Sequence, residues 1–119
     1  MAFDHEKLDV YQLGIEFVAK ANDVVEALPR GRGYLGDQLQ RAALSIVLNI
    51  AEGAGKFSPA DKAAFYARAR GSVTESAAVV DVCLKLRLVD ERIAQENKER
   101  LERLAQMLTK LVKSQKDHD

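Results

Sequence analysis

The sequence predicts an all-α fold, an antiparallel up-down-up-down four-helix bundle in which residues 1–119 form a single domain. Apolar residues recur every three or four positions in four long segments, which is the spacing of one face of a helix. Only two prolines and seven glycines occur, so few residues interrupt these segments. Hydrophobic residues make up 47% of the 119 residues, which is enough to form one core without disulfides or metals. Helices are expected over about residues 8–28, 34–54, 59–86 and 90–113.

The first helix is predicted to end at residue 28, because Pro29 cannot continue it. Its apolar residues follow a heptad pattern, which predicts a seam that faces the other helices. The seam comprises Leu8, Tyr11, Ile15, Val18, Asn22 and Val25. The glycines at positions 31 and 33 then predict a short turn into the second helix.

The second helix is predicted to bury one apolar stripe and to end at two glycines. The stripe comprises Leu39, Ala43, Ile46 and Ile50. Gly53 and Gly55 are expected to provide the exit, because glycine is favoured just beyond the last turn of a helix.

The last two helices have clear start signals. Ser58 is the expected N-cap of the third helix and Pro59 its first residue, while Asp90 is expected to cap the fourth. The predicted seam of the third helix comprises Phe65, Ala69, Ser72, Ser76, Val79 and Cys83. The predicted seam of the fourth comprises Asn97, Leu101, Leu104, Leu108 and Leu111. Residues 113–119 are expected to form a frayed tail.

Polar residues form a second pattern on the two middle helices. On the second helix the row comprises Arg41, Ser45, Asn49 and Glu52, and on the third it comprises Arg68, Ser72 and Glu75. Facing each other, these groups would satisfy one another at a packed contact that sets helix register or subunit docking. The alternatives are a groove for a polar ligand, a catalytic site and a plain solvated face. Gly71 in mid-helix favours close packing there, because glycine costs about 1 kcal/mol relative to alanine.

The sequence offers little for metal, cofactor or catalytic chemistry. His5 and His118 lie near opposite termini and Cys83 stands alone, whereas a zinc site needs three or four converging ligands. No serine lies beside a histidine and no glycine-rich phosphate loop follows a strand. We therefore expect no metal, no cofactor and no enzymatic activity.

The charge is zero overall but unevenly distributed along the chain. Residues 1–28 hold two basic and six acidic side chains, a net charge of −4, and residues 29–72 hold seven and three, a net charge of +4. The two segments either pair with each other, within or between subunits, or separate into faces. The candidate nucleic-acid contacts are Arg30, Arg32, Lys56 and Lys62, which lie at two turns expected at opposite ends of the bundle.

Two motifs resemble those of a known family. Residues 40–55 read QRAALSIVLNIAEGAG and are followed by Phe57-Ser58, and residues 69–75 read ARGSVTE. From Leu8 to about Ser114 the chain resembles a bacterial four-helix-bundle family, some of whose members are encoded by intervening sequences in large-subunit ribosomal RNA genes. It is also similar to the accessory protein of diversity-generating retroelements, a five-fold barrel to which nucleic-acid binding is attributed. Tyr11 departs from the tryptophan common in relatives but keeps an aromatic side chain.

The resemblance implies a homo-oligomer, with a homopentamer favoured. The expected function is a non-enzymatic interaction module that binds RNA, DNA or a ribonucleoprotein weakly through an assembled ring. The alternative is a structural or scaffold protein that binds another protein and has no nucleic-acid role. The single cysteine, the acidic N-terminus and the lack of a long apolar run favour a cytoplasmic protein without a membrane partner. No small-molecule substrate is indicated.

Overall fold

Four long helices make up most of the chain. A computed structural model describes residues 3–117, so His118, which was considered as a metal ligand, lies outside the described residues. The helices are α1 (Asp9–Glu26), α2 (Gly33–Ala54), α3 (Pro59–Lys85) and α4 (Glu91–Lys116), and a short 3-10 helix (Asp4–Lys7) precedes α1. Consecutive helices pack against each other and α1 packs against α4, which closes the bundle. The predicted all-α four-helix bundle is therefore confirmed. No helix within residues 3–117 is both long and apolar enough to cross a bilayer.

The core follows the predicted stripes in three of the four helices. All four residues of the α2 stripe are buried, and Ile46 and Ile50 are completely inaccessible to solvent. In α3 the seam from Ala69 to Cys83 is buried and Phe65 is half-buried. In α4 the seam is buried from Asn97 to Leu108, with Leu111 half-buried at its end. The strong helical periodicity of these segments therefore predicts their inward faces correctly.

The predicted seam of α1 is only partly correct, since Leu8, Tyr11, Val18 and Val25 are half-buried against the core but do not form its centre. Ile15 remains 42% exposed and Asn22 is exposed. The residues that enter the core are Val10, Leu13, Gly14, Phe17, Ala21 and Val24. Gly14 allows α1 to approach α2 closely, because a Cβ atom there would lie 2.9 Å from Cγ1 of Val47. Close approach and the large Phe17 side chain favour this neighbouring stripe over the heptad stripe.

The predicted N-caps are confirmed. The Ser58 hydroxyl accepts a hydrogen bond from the Asp61 amide at 3.1 Å, and the Asp90 carboxylate accepts one from the Arg92 amide at 3.0 Å. At its other end α4 continues to Lys116, so residues 113–116 are helical rather than frayed.

The exit from α2 differs from the prediction. A Cβ atom at Gly53 would lie 2.8 Å from Cε1 of Tyr66, so this glycine is needed for packing of α2 against α3. Gly55 follows α2 with φ of −84°, a conformation open to any residue. The two glycines therefore do not act as a left-handed helix terminator.

Candidate interaction surface

A chain of hydrogen bonds joins α2 to α3 at the centre of the predicted polar row. The Asn49 amide donates to the carbonyl oxygen and the hydroxyl of Ser45, at 2.9 and 3.0 Å. The Ser45 and Ser72 hydroxyls lie 2.8 Å apart, and Ser72 donates to the Arg68 carbonyl at 3.3 Å. Either hydroxyl can serve as the donor between Ser45 and Ser72. This part of the row forms an interhelical network.

The remaining side chains of the row do not join that network. The Gln38 amide donates to the Glu75 carboxylate at 2.5 Å, which makes a separate α2–α3 contact. The Arg68 guanidinium lies over the Phe65 ring, 4.6 Å from its centroid. Arg41 and Glu52 are exposed, and within residues 3–117 neither forms a side-chain hydrogen bond or an ion pair. The row therefore splits into a satisfied centre and two unpaired charges.

One stripe on the outward side of α3 carries no charged side chain between residues 60 and 82, although exposed Arg68, Arg70, Glu75 and Asp81 border it. Exposed residues recur there at spacings of three and four, the pattern of a single helix face. The stripe comprises Ala60, Ala64, Ala67, Gly71, Thr74, Ala78 and Val82. A Cβ atom at Gly71 would meet nothing within 4 Å, so no contact within the described chain requires this glycine. The concentration of small residues in α3 is evident from the sequence, and their three-and-four spacing around Gly71 signals the outward stripe.

Two exposed leucines lie on the outward side of α2. Leu44 and Leu48 are 50% and 53% exposed and lie one turn apart. Arg41 precedes them by one turn and Glu52 follows them by one turn on the same side of α2. We call these four α2 residues, together with the outward stripe of α3, the α2–α3 face. It combines exposed apolar side chains with unpaired charges.

The predicted nucleic-acid contacts lie at two turns. Arg30 and Arg32 lie between α1 and α2, whereas Lys56 and Lys62 flank the start of α3; α2, about 33 Å long, separates the two turns. The Arg32 guanidinium donates to the Tyr34 hydroxyl at 3.4 Å, and Lys62 donates to the Ala54 carbonyl at 2.8 Å. Lys62 therefore satisfies a carbonyl at the C-terminal end of α2, whereas Arg32 contacts a side chain of its first turn.

An aromatic group accompanies the basic residues at the α2–α3 turn. The Lys56 ammonium and the Arg68 guanidinium both lie over Phe65, the ammonium 4.9 Å from the ring centroid. Phe57, which directly follows Lys56 in the sequence, is fully exposed. Cations beside an exposed aromatic ring are a combination that contacts phosphates and stacks on bases.

Nothing in the described part of the chain converges as a catalytic or metal site. Residues 3–117 contain no group of three or more His, Cys, Asp and Glu side chains placed to hold a metal ion. Glu52 and Glu75 are exposed, so neither has the buried setting that a glutamate base requires. Cys83 is buried among apolar groups, and burial raises the pKa of its thiol, which opposes formation of a reactive thiolate.

Comparison with known proteins identifies a family. The family described as 23S rRNA-intervening sequence protein matches residues 6–110. Among solved structures, the chain is similar to a protein of unknown function from the S23 ribosomal protein family of Bacteroides thetaiotaomicron, with a TM-score of 0.81 and 17% identity. The similarity covers 87% of this chain and 98% of that protein, and at this identity it indicates the shared fold alone. No curated protein matches the chain.

Proposed function

The chain belongs to the 23S rRNA-intervening sequence protein family, and we propose that it functions as a non-enzymatic interaction module that self-associates through its α2–α3 face. The homopentamer implied by the resemblance is the favoured assembly. The polar row then has a structural role at its centre, where it sets the register of α2 against α3. At the ends of the α2 row, Arg41 and Glu52 would form ion pairs with a neighbouring subunit.

The outward stripe of α3 is the observation that carries this proposal. A helix that faces solvent normally shows charged side chains there, as the outward side of α4 does with Glu99, Glu102 and Arg103. The exposed stripe of α3 instead consists of small and apolar residues. Small side chains allow another helix axis to approach closely, and burying Leu44 and Leu48 beside them would stabilise such a contact.

The mass of the protein in solution tests self-association. At micromolar concentration, light scattering should give a multiple of the 13.2 kDa subunit mass, five subunits being expected. Replacement of Gly71 by leucine should lower this mass, because the new side chain would occupy the space of the partner helix. Gly33→Leu is the matched control, since a Cβ atom at Gly33 also meets nothing within 4 Å. A parent mass of 13.2 kDa would contradict the proposal.

Weak nucleic-acid binding by the assembled oligomer is the second candidate function. The cations and the exposed Phe57 at the α2–α3 turn favour it, because oligomerisation repeats them around a rim and multivalency adds weak contacts. The zero net charge opposes strong binding by one subunit. We expect low-specificity, micromolar-range binding of RNA or DNA that weakens steeply with salt, because phosphate contacts release counterions.

Retention of nucleic acid on the purified oligomer separates this candidate from a protein-binding scaffold. A structured RNA and a DNA duplex are titrated at several salt concentrations. Arg30→Ser with Arg32→Ser should weaken binding without changing mass. A single-stranded RNA is titrated as a third probe. Phe57→Ala should weaken the binding of this RNA more than the binding of duplex DNA, because only unstacked bases are free to stack on the ring. If the parent oligomer retains no nucleic acid at low salt, the scaffold function is favoured instead.

A further inference from the structure

On the premise of the self-association proposed above, we infer that the α2–α3 face of one subunit binds the outward face of α1 from a second copy of the chain. The contact would be heterologous, since two different surfaces meet. Within residues 3–117, α1 and α3 lie diagonally across the bundle and do not contact each other. A contact that joins two separate faces leaves each subunit able to bind a neighbour on either side, which generates a ring when the rotation closes.

The outward face of α1 has a stripe of its own. It comprises Gln12, Ile15, Ala19, Asn22 and Glu26, all of them exposed and spaced by three or four residues. Ile15 and Ala19 supply the apolar and small side chains that match Leu44, Leu48 and the α3 stripe. The predicted seam residues Ile15 and Asn22, which the core of the subunit does not use, thereby gain a partner.

Charge complementarity selects α1 as the occupant. Four of the five charged residues of α1 are acidic, whereas the α2–α3 face holds an unpaired cation, Arg41, at one end and an unpaired anion, Glu52, at the other. Within residues 3–117, the acidic groups of α1 form no ion pair with α2 or α3, and Glu16 pairs instead with Arg100 of α4 at 3.4 Å. Asp23 and Glu26, whose carboxylate accepts a hydrogen bond from Asn22 at 3.3 Å, therefore have no cationic partner within the subunit and are available to pair with Arg41 of another.

The axial spacing of these groups fits one register. Asp23 lies eight residues beyond Ile15, about 12 Å along α1, and Arg41 lies seven residues before Leu48, about 10.5 Å along α2. When Ile15 of one copy contacts Leu48 of the other in an antiparallel arrangement, Asp23 comes level with Arg41, and Glu26 lies one turn beyond, within reach of the long guanidinium side chain.

A ring whose axis runs parallel to the bundle requires that same direction. Rotation about an axis parallel to the bundle leaves the direction of every helix unchanged. The α1 helix of a neighbouring copy therefore runs antiparallel to α2, as the subunit's own α1 does. The register inferred from the charges is the one that a closed ring of upright subunits allows.

Charge reversal tests this contact. Arg41→Glu should raise the dissociation constant of the assembly about a hundredfold, because like charges would then face each other. The double variant Asp23→Lys/Glu26→Lys should have a similar effect. Combining all three substitutions should restore the parent mass in light scattering, since the pairs form again with opposite signs. Arg103→Glu on the exposed side of α4 is the control and should leave the mass unchanged.

The outcomes distinguish this contact from self-association itself. If the parent assembles and Arg41→Glu assembles equally well, or if the triple variant does not recover, the contact between α1 and the α2–α3 face is wrong while self-association stands. A monomeric parent overturns both. Circular dichroism confirms that each variant remains helical, so that loss of mass is not caused by unfolding.

Discussion

The Ser45 and Ser72 hydroxyls share a hydrogen bond of 2.8 Å, and this contact joins the middle of α2 to the middle of α3. Both hydroxyls belong to a chain of hydrogen bonds that runs from the Asn49 amide to the Arg68 carbonyl. Each group in the chain has a partner, so the polar centre of this helix pair carries no unpaired buried group. The network joins the two helices whose outward sides form the α2–α3 face.

We expect Ser72→Ala to lower the free energy of unfolding by about 1 kcal/mol, because the Ser45 hydroxyl loses its hydrogen-bond partner on α3 at a largely buried position. Ser76→Ala is the matched control. The Ser76 hydroxyl is fully buried but bonds only to the Ser72 carbonyl of its own helix, so its removal should cost clearly less. Urea denaturation of both variants measures the difference. Equal losses would mean that the interhelical hydrogen bond contributes nothing of its own.

Ile46→Ala and Leu104→Ala should each destabilise the protein by about 2 to 5 kcal/mol, because both side chains are completely buried and their truncation leaves cavities. Leu44→Ala, on the exposed side of the same helix as Ile46, provides the comparison. In the monomeric state it should change the free energy of unfolding by less than about 0.5 kcal/mol. Denaturant midpoints of the three variants are the measurement. A Leu44→Ala variant as unstable as Ile46→Ala would contradict the assignment of the inward face.

The sequence predicts the fold well because three helices have a single strong apolar stripe. In α2, the periodicity at Leu39, Ile46 and Ile50 admits one inward face, and the structure uses it. In α1, two apolar stripes lie side by side, and periodicity alone does not choose between them. The choice depends on Gly14 meeting Val47, a contact between distant residues that no local pattern encodes.

The candidate site was predicted only in part, for a related reason. Arg41 and Glu52 share the spacing of Ser45 and Asn49, so the sequence places all four in one row. Whether each of these residues finds a hydrogen-bond or ion-pair partner, however, depends on which α3 side chain lies opposite it. Ser72 meets Ser45, whereas no α3 group pairs with Arg41 in the described chain, and this difference emerges only when the helices are packed.

In the turn between α3 and α4, one residue other than glycine adopts the left-handed backbone conformation. Arg87 has φ of 60°, and the amide of Leu88 donates to the Cys83 carbonyl at 2.9 Å, closing the end of α3. We expect Arg87→Gly to raise the free energy of unfolding by about 1 kcal/mol, since glycine adopts this conformation without the steric penalty of a Cβ atom. Arg87→Ala is the control, because it removes the charge but keeps the strain. Thermal melting that shifts equally for both would attribute the effect to charge rather than to the backbone.

Burial of Cys83 and Tyr66 predicts that stability falls at alkaline pH. Burial raises the pKa of both groups above their ordinary values, so the folded protein keeps protons that the unfolded chain releases. The free energy of unfolding should therefore be independent of these groups below about pH 8.5, the ordinary thiol pKa, and should decrease as the pH rises beyond it. Tyr66 lowers the free energy of unfolding further only above about pH 10, the ordinary phenol pKa.

Urea midpoints at pH 7.5, 8.5 and 9.5, at roughly one-unit intervals around the thiol pKa, isolate the contribution of the cysteine when the parent is compared with Cys83→Ala. The Cys83→Ala variant should be less stable than the parent at every pH, but its free energy of unfolding should decrease less between pH 8.5 and 9.5. An equal decrease in both proteins would show that the thiol does not cause the loss of stability at alkaline pH.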